Sequence, residues 1–189
     1  MKVENNLERI QKDMSTGITK TPPTKEAIWN NLKQRKNIYR TQREFIFKII
    51  KNIQRVGKYW KNIPGCKDRV NCQTCHSTES MEHILTECEI IGQAEIWDLV
   101  KEIWERKYDD WRKPNFGEIM GCASAAFYDE NGKYNIGKTR LYQILISEAA
   151  HIIWTIRCKR VISDNNNQQK WPTNQSLSLK LNKQINHRL

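Results

Sequence analysis

The sequence predicts an all-α fold, an irregular helical domain of about five to seven helices. Three observations carry that expectation. Apolar residues recur at spacings of three and four over several stretches, no stretch sustains a period of two, and Pro, Gly and Asn clusters fall between the periodic runs. Residues 1–23 are polar and end in TGITKTPPT, which reads as a flexible N-terminal arm, and the helical domain is expected over 24–189. Thr24 is placed to cap a short helix carrying Ala27, Ile28 and Leu32.

A longer helix follows. Thr41 and Glu44 have capping-box spacing, and Phe45, Ile49, Ile53, Val56 and Trp60 share one helical face. Lys48, Lys51, Arg55 and Lys58 form a second, cationic stripe before Pro64-Gly65 ends the element. Further on, Ile96, Leu99, Val100, Ile103 and Trp104 predict an amphipathic helix with an acidic outer face. Pro114 and two glycines lead into a short helix around Glu118 to Phe127. Tyr142, Leu145, Ala149, Ile152, Ile153 and Ile156 mark a long central helix, and Leu177, Leu181 and Ile185 a final one. Trp97, Trp104 and Trp154 are assigned to the core; Tyr59 and Trp60 follow the cationic stripe, where an exposed ring could stack on a base, but Trp60 continues the apolar face and core packing is the better reading.

With 189 residues and 38% hydrophobic content, the chain can supply its own core. The N-terminus MKVENNLERIQKD lacks an apolar signal region, so an intracellular protein of nucleus or cytoplasm is expected rather than a secreted one. The run from Leu141 to Ile162 carries Glu148, His151, Arg157, Lys159 and Arg160, too many polar groups for a membrane span. The net charge of +11 is unevenly placed. Residues 32–71 hold twelve Lys or Arg against two acids, a net of +10, whereas residues 72–118 have a net of −6 and residues 119–189 a net of +6. A concentrated positive field favours an anionic partner, nucleic acid being the commonest. The expected contact residues are Arg35, Lys36, Arg40, Arg43, Lys48, Lys51, Arg55, Lys58 and Lys61.

CQTCHSTESMEHILTEC brings three cysteines and a histidine into one short stretch: Cys72, Cys75, His83 and Cys88. Two cysteines separated by two residues turn both sulfurs toward one ion, and a third and fourth ligand from a nearby helix complete a tetrahedron. Cys88 lies five residues after His83, about 140° further round an ideal helix, so the helix is expected to end or unwind near Glu87. The expected cofactor is a structural zinc ion in a small Cys3His knuckle within residues 66–90, because four protein ligands leave no open position for chemistry. Cys66 and His76 are the rival ligands, whereas Cys122 and Cys158 stand alone in apolar surroundings. Glu148 and His151 have helical spacing for an acid/base pair, but no nucleophile or Gly-rich loop accompanies them, and a structural hydrogen bond is the better reading.

KNIPGCKDRVNCQTCHSTESMEHILTEC, with VGKYWKNIP before it and ISEAAHIIWTIRCKRVI after it, resembles the zinc-binding domain that follows the ribonuclease H region in reverse transcriptase polyproteins of fungal non-LTR retrotransposons. The likeness runs from about Thr24 to Leu189, its specific part being the Cys/His core. It implies Cys72, Cys75, His83 and Cys88 as ligands in a nucleic-acid-associated, non-catalytic tail. The chain is too short for a polymerase, and KYDDW at Lys107 to Trp111 departs from the polymerase signature because Lys107 stands at the aromatic position. No enzyme activity, membrane partner or small-molecule substrate is expected. The leading expectation is a zinc-stabilised module binding RNA or DNA, and the alternative is a protein-interaction module with a structural zinc, capable of self-association.

Overall fold

A computed structural model describes residues 2–34 and 36–188. The fold is all-α, with two isolated antiparallel bridges, Asn71 with Thr78 and Tyr128 with Tyr134, and no strand among the described residues. The chain divides into two compact units, one of residues 1–53 and 114–148, the other of 54–113 and 149–189.

In the first unit, residues expected to be part of a loose arm form helix α1, Lys2–Met14. Its apolar side is narrow but complete: Leu7, Ile10 and Met14 are buried, and α1 packs against the short helix α5, Phe116–Gly121. A Cβ on Gly121 would stand 2.7 Å from Ile10 Cγ2, so the lack of a side chain there is what lets the helices approach. Asn115 caps α5 reciprocally, accepting from the Glu118 amide at 2.9 Å while Glu118 Oε2 accepts from the Asn115 amide at 2.9 Å. Thr24 caps helix α2, Lys25–Lys33, accepting from the Ala27 amide at 3.1 Å.

Helix α3 spans Arg40–Ile50 and buries Phe45, Ile46, Ile49 and Ile50. Thr41 is not its cap; Tyr39 precedes the helix, and Glu44 instead accepts from Arg40 Nε at 2.6 Å. The helix also stops well short of Trp60. Asn52 adopts φ 53°, its amide donating to the Ile49 carbonyl at 2.8 Å, and the Ile53 amide donates to Lys48 at 3.0 Å. This is a Schellman-type stop with asparagine in the left-handed position.

In the second unit, helix α4, Gln93–Glu105, buries Ile96, Trp97, Val100 and Trp104 and packs against helix α7, Asn174–Asn186, which buries Leu177, Leu181 and Ile185. Thr173 caps α7 by accepting from the Ser176 amide at 3.3 Å. Helix α6, Ile136–Cys158, contributes its residues through Glu148 to the first unit and the remainder, including buried Ile152, Ile153 and Ile156, to the second. Among the described residues no helix is long and apolar enough to cross a membrane.

Candidate metal centre

The residues around Cys72 fold back on themselves. The Asn71–Thr78 bridge closes the loop, with the Cys72 amide donating to Ser77 at 2.8 Å, the His76 amide to Cys72 at 2.9 Å and the Glu79 amide to Val70 at 3.0 Å. His76 takes φ 55° to complete the turn, and its side chain is exposed. The Cys75 amide approaches Cys72 Sγ at 3.5 Å, and the Glu89 amide approaches Cys75 Sγ at 3.5 Å. Backbone N–H groups aimed at sulfur favour the thiolate over the thiol.

His83 and Cys88 come from a widened helical turn. Ser80 Oγ accepts from the His83 amide at 2.9 Å and starts the helix, but over His83–Glu87 the coil opens into a π-helical turn in which the Cys88 amide donates to His83, five residues back, at 2.8 Å. The wider turn brings residues 83 and 88 much closer to one face than the separation of about 140° that an α-helix would impose. The expected unwinding thus takes the form of a π turn. Its displaced Leu85 carbonyl is satisfied by two buried donors, Trp97 Nε1 at 2.8 Å and Gln93 Nε2 at 3.1 Å.

The ligand atoms of Cys72, Cys75, His83 and Cys88 all lie within 4.8 Å of one another. Cys72 Sγ is 3.7 Å and Cys75 Sγ 3.9 Å from Cys88 Sγ, far beyond a disulfide bond of about 2.05 Å, and all six cysteines are free. His83 Nδ1 faces Ser77 Oγ at 3.5 Å and Glu87 Oε2 at 3.7 Å. That leaves the buried Nε2, without a hydrogen-bond partner, as the nitrogen free to ligate. A carboxylate or hydroxyl on the far ring nitrogen is the usual way a ligating histidine is oriented. The cluster can therefore hold a metal ion. Cys66 and His76 lie outside it.

The electrostatics of the cluster show why an ion suits it. Burial raises the Cys72 thiol, but the Cys75 amide, His83, the Thr74 amide and Cys88 outweigh that and bring it down to about 7. Cys88 is pushed up to about 12 by burial, against the pull of the Ile90 amide, and by its neighbours Cys72 and Cys75. Adjacent sulfurs resist ionising together unless a cation sits among them. Arg160, only 6% exposed, adds positive charge within electrostatic reach of Cys88 and Cys72. Its place in this site was not read from the sequence, because it lies far along the chain.

The expected cationic stripe is not continuous. Lys48 lies on α3 and Lys51 just beyond it, with Lys51 Nζ 5.1 Å over the Trp29 ring; Arg55, Lys58 and Lys61 belong to the second unit, the last two on a 3-10 helix, Gly57–Asn62. Arg40 is paired with Glu44, Arg43 donates to the Lys33 carbonyl at 2.8 Å, and Lys36 is exposed. Arg35 lies outside the described residues. Trp60 donates to the Arg55 carbonyl at 2.9 Å, and Arg69 stands 5.3 Å over its ring, whereas Tyr59 is 46% exposed with Arg55 beside it at 5.6 Å. Trp97 and Trp104 are in the core as expected, but Trp154 is only half-buried. Glu148 accepts from Gln42 Nε2 at 2.8 Å, a buried structural contact.

No family model matches this chain, and neither the curated proteins nor the solved structures contain a match to it.

Proposed function

We propose that this protein carries a structural zinc ion on Cys72, Cys75, His83 and Cys88 and binds nucleic acid through the cationic segment beside it. The sulfur spacing carries the reading. Zinc–thiolate bonds of about 2.3 Å arranged as a tetrahedron set sulfurs about 3.8 Å apart, and the two distances here are 3.7 and 3.9 Å. Three thiolates and an imidazole suit zinc better than magnesium or calcium, which prefer oxygen. Four protein donors leave no position for substrate, so such an ion contributes folding energy rather than catalysis.

The nucleic-acid part rests on charge and attachment. Arg55, Lys58, Lys61, Lys67 and Arg69 cluster in the segment leading into the metal loop, with Asp68 as the acid among them. Gly57, φ 52°, lies so close to the Glu79 carbonyl that a Cβ would collide with it, which fixes the start of the 3-10 helix against the end of the metal loop. The cations are held by that loop rather than presented on a long helix, and the exposed Tyr59 ring supplies a surface for stacking. The resemblance to reverse transcriptase zinc-binding domains supports the same reading.

The test is zinc per chain in the native protein and in Cys72→Ser, with fluorescence anisotropy of a labelled oligonucleotide at low and high salt. One zinc lost on substitution, and affinity falling steeply with salt, are expected. A chain without zinc, or binding indifferent to salt, overturns the corresponding part. A defined oligomer that nucleic acid does not displace would favour a protein-interaction module instead.

A further inference from the structure

A cavity of about 440 Å³ in the second unit is walled by the end of α6, the π-helical turn Lys159–Ser163 that continues it, and the start of α7. Lys159, Arg160, Lys170 and Lys180 line it, and among the described lining residues Asp164 is the single acid. Arg160 is 6% exposed, yet its Nε has no hydrogen-bond partner, and the same is true of the buried Trp171 Nε1. Lys180 Nζ donates to a neutral oxygen, Thr155 Oγ1, at 3.1 Å. Burial and the charge of nearby Lys159 both lower its affinity for a proton. The Arg160 charge already has Cys88, Glu79 and Cys72 within electrostatic reach, but the buried Arg160 Nε and Trp171 Nε1 donors remain unsatisfied, and a buried donor without an acceptor is costly. The capped N-terminus of α7, with the Thr173 and Ser176 hydroxyls at the wall, adds a partial positive charge.

We infer that this cavity binds a phosphate group carried by a nucleotide-sized ligand whose flat ring lies against Pro172 and the part of Trp171 that its packing on Cys72, Cys88 and Ile90 leaves to the cavity. A carboxylate is satisfied by one guanidinium, whereas a phosphate dianion matches several separate donors around it. The volume falls within the range of small-ligand sites and exceeds what a bare ion needs. None of the residues Arg55–Arg69 lines the cavity, although Arg160 also lines a smaller one with Asp68 and Arg69, and the inference does not depend on the function proposed for that segment. The same chemistry is offered by a free mononucleotide and by the 5′-phosphate end of a strand.

The experiment uses the zinc-loaded full chain, nitrogen-15 labelled, titrated with adenosine monophosphate, inorganic phosphate and adenosine. The indole N–H resonance of Trp171, identified by its loss in Trp171→Phe, is expected to move with the monophosphate and not with adenosine. Lys159→Ala and Lys170→Ala change exposed side chains and should each keep the fold. The double variant is expected to weaken monophosphate binding by about tenfold or more. A Trp171 resonance unmoved by millimolar monophosphate, equal binding of adenosine, or undiminished affinity in the double variant overturns the site. Competition by 5′-phosphorylated and 5′-hydroxyl oligonucleotides assigns the source: a strong preference for the phosphorylated strand indicates a strand end, and equal competition a free nucleotide. Lys58→Glu with Lys61→Glu separates the two readings, since it should weaken oligonucleotide binding to the cationic segment and reduce its salt dependence while leaving the monophosphate titration unchanged.

Discussion

Arg157 holds the carboxylate of Glu79 in a two-pronged ion pair, its Nε donating to Oε1 at 3.2 Å and a terminal nitrogen to Oε2, with side chains only 3% and 4% exposed. Glu79 closes the metal loop and Arg157 lies near the end of α6, 78 residues away, so the pair ties the loop to the helix. Glu79→Gln leaves a guanidinium buried without its counter-charge, at an expected cost of about 3–5 kcal/mol. Glu79→Leu combined with Arg157→Met removes both charges and should cost less than the single change. Urea unfolding of the variants checks this; a double variant no more stable than Glu79→Gln would mean that packing, not charge, holds the junction.

Gly57 meets the same loop at the Glu79 backbone. Alanine there must adopt φ 52° and also place its Cβ against the Glu79 carbonyl, whereas alanine at Gly65, φ 72°, meets no atom within 4 Å. Gly65→Ala should therefore cost about 1 kcal/mol for the left-handed backbone alone, and Gly57→Ala distinctly more. Thermal unfolding followed by circular dichroism ranks the two. Equal costs would show that the loop yields to the added methyl.

Both junctions are long-range, and this is where the sequence was least readable. The metal cluster was legible because all four ligands fall within one short segment, so spacing alone limits their geometry. The helices α4, α6 and α7 were legible because their buried residues repeat at helical intervals. Two elements misled. Ile53, Val56 and Trp60 continue the period of α3, yet Ile53 is 58% exposed and the chain has already turned at Asn52, an ending decided by one residue's tolerance of positive φ. In α1, Leu7, Ile10 and Met14 do carry the helical interval, but few apolar residues stand among many polar ones, and their burial depends on α5 more than 100 residues later. Local composition cannot reveal a partner that distant.

Cysteine chemistry should sort by environment. Cys122 is fully buried, and burial pushes its thiol up to about 12, so it stays protonated and inert. In the zinc-loaded protein, iodoacetamide is expected to label the half-buried Cys66 first and to spare Cys72, Cys75 and Cys88. A chelator should expose those three while Cys122 remains protected until the chain unfolds. Peptide mass spectrometry reads the order, and labelling of the three ligands at the rate of Cys66 before chelation would show that no metal shields them.

His151 sets a dependence on pH. Its pKa is lowered, first by burial and then by the charge of Lys180. The unfolded chain therefore binds a proton more readily than the folded one near and below the ordinary histidine value of about 6.5, and stability falls as pH drops through that range. His151→Gln removes this contribution, so the loss of stability between pH 7 and pH 5 should be shallower in the variant. Denaturant midpoints at the two pH values measure it, and identical slopes would show that His151 is equally protonated in both states.

The interruption at Asn52 also divides the basic residues into groups that can be told apart. Had α3 run to Trp60, Lys48 and Lys58 would lie on one rod and contribute alike to phosphate binding. Instead Lys48 lies on α3 in the first unit, and Lys58 and Lys61 on the 3-10 helix attached to the metal loop. Every phosphate that is no longer neutralised lowers the dependence of log affinity on log salt by about 0.9 on duplex DNA and about 0.7 on a single strand. Lys58→Glu with Lys61→Glu should therefore flatten the salt dependence by the equivalent of roughly two phosphates, and Lys48→Glu should leave it nearly unchanged. Removing zinc should mimic the former, because the 3-10 helix loses the loop that holds it, whereas α3 has its own buried face and stop. Anisotropy titrations over a range of salt distinguish the outcomes: an equal effect of Lys48→Glu would place the binding surface on α3, and binding insensitive to chelation would detach recognition from the metal loop.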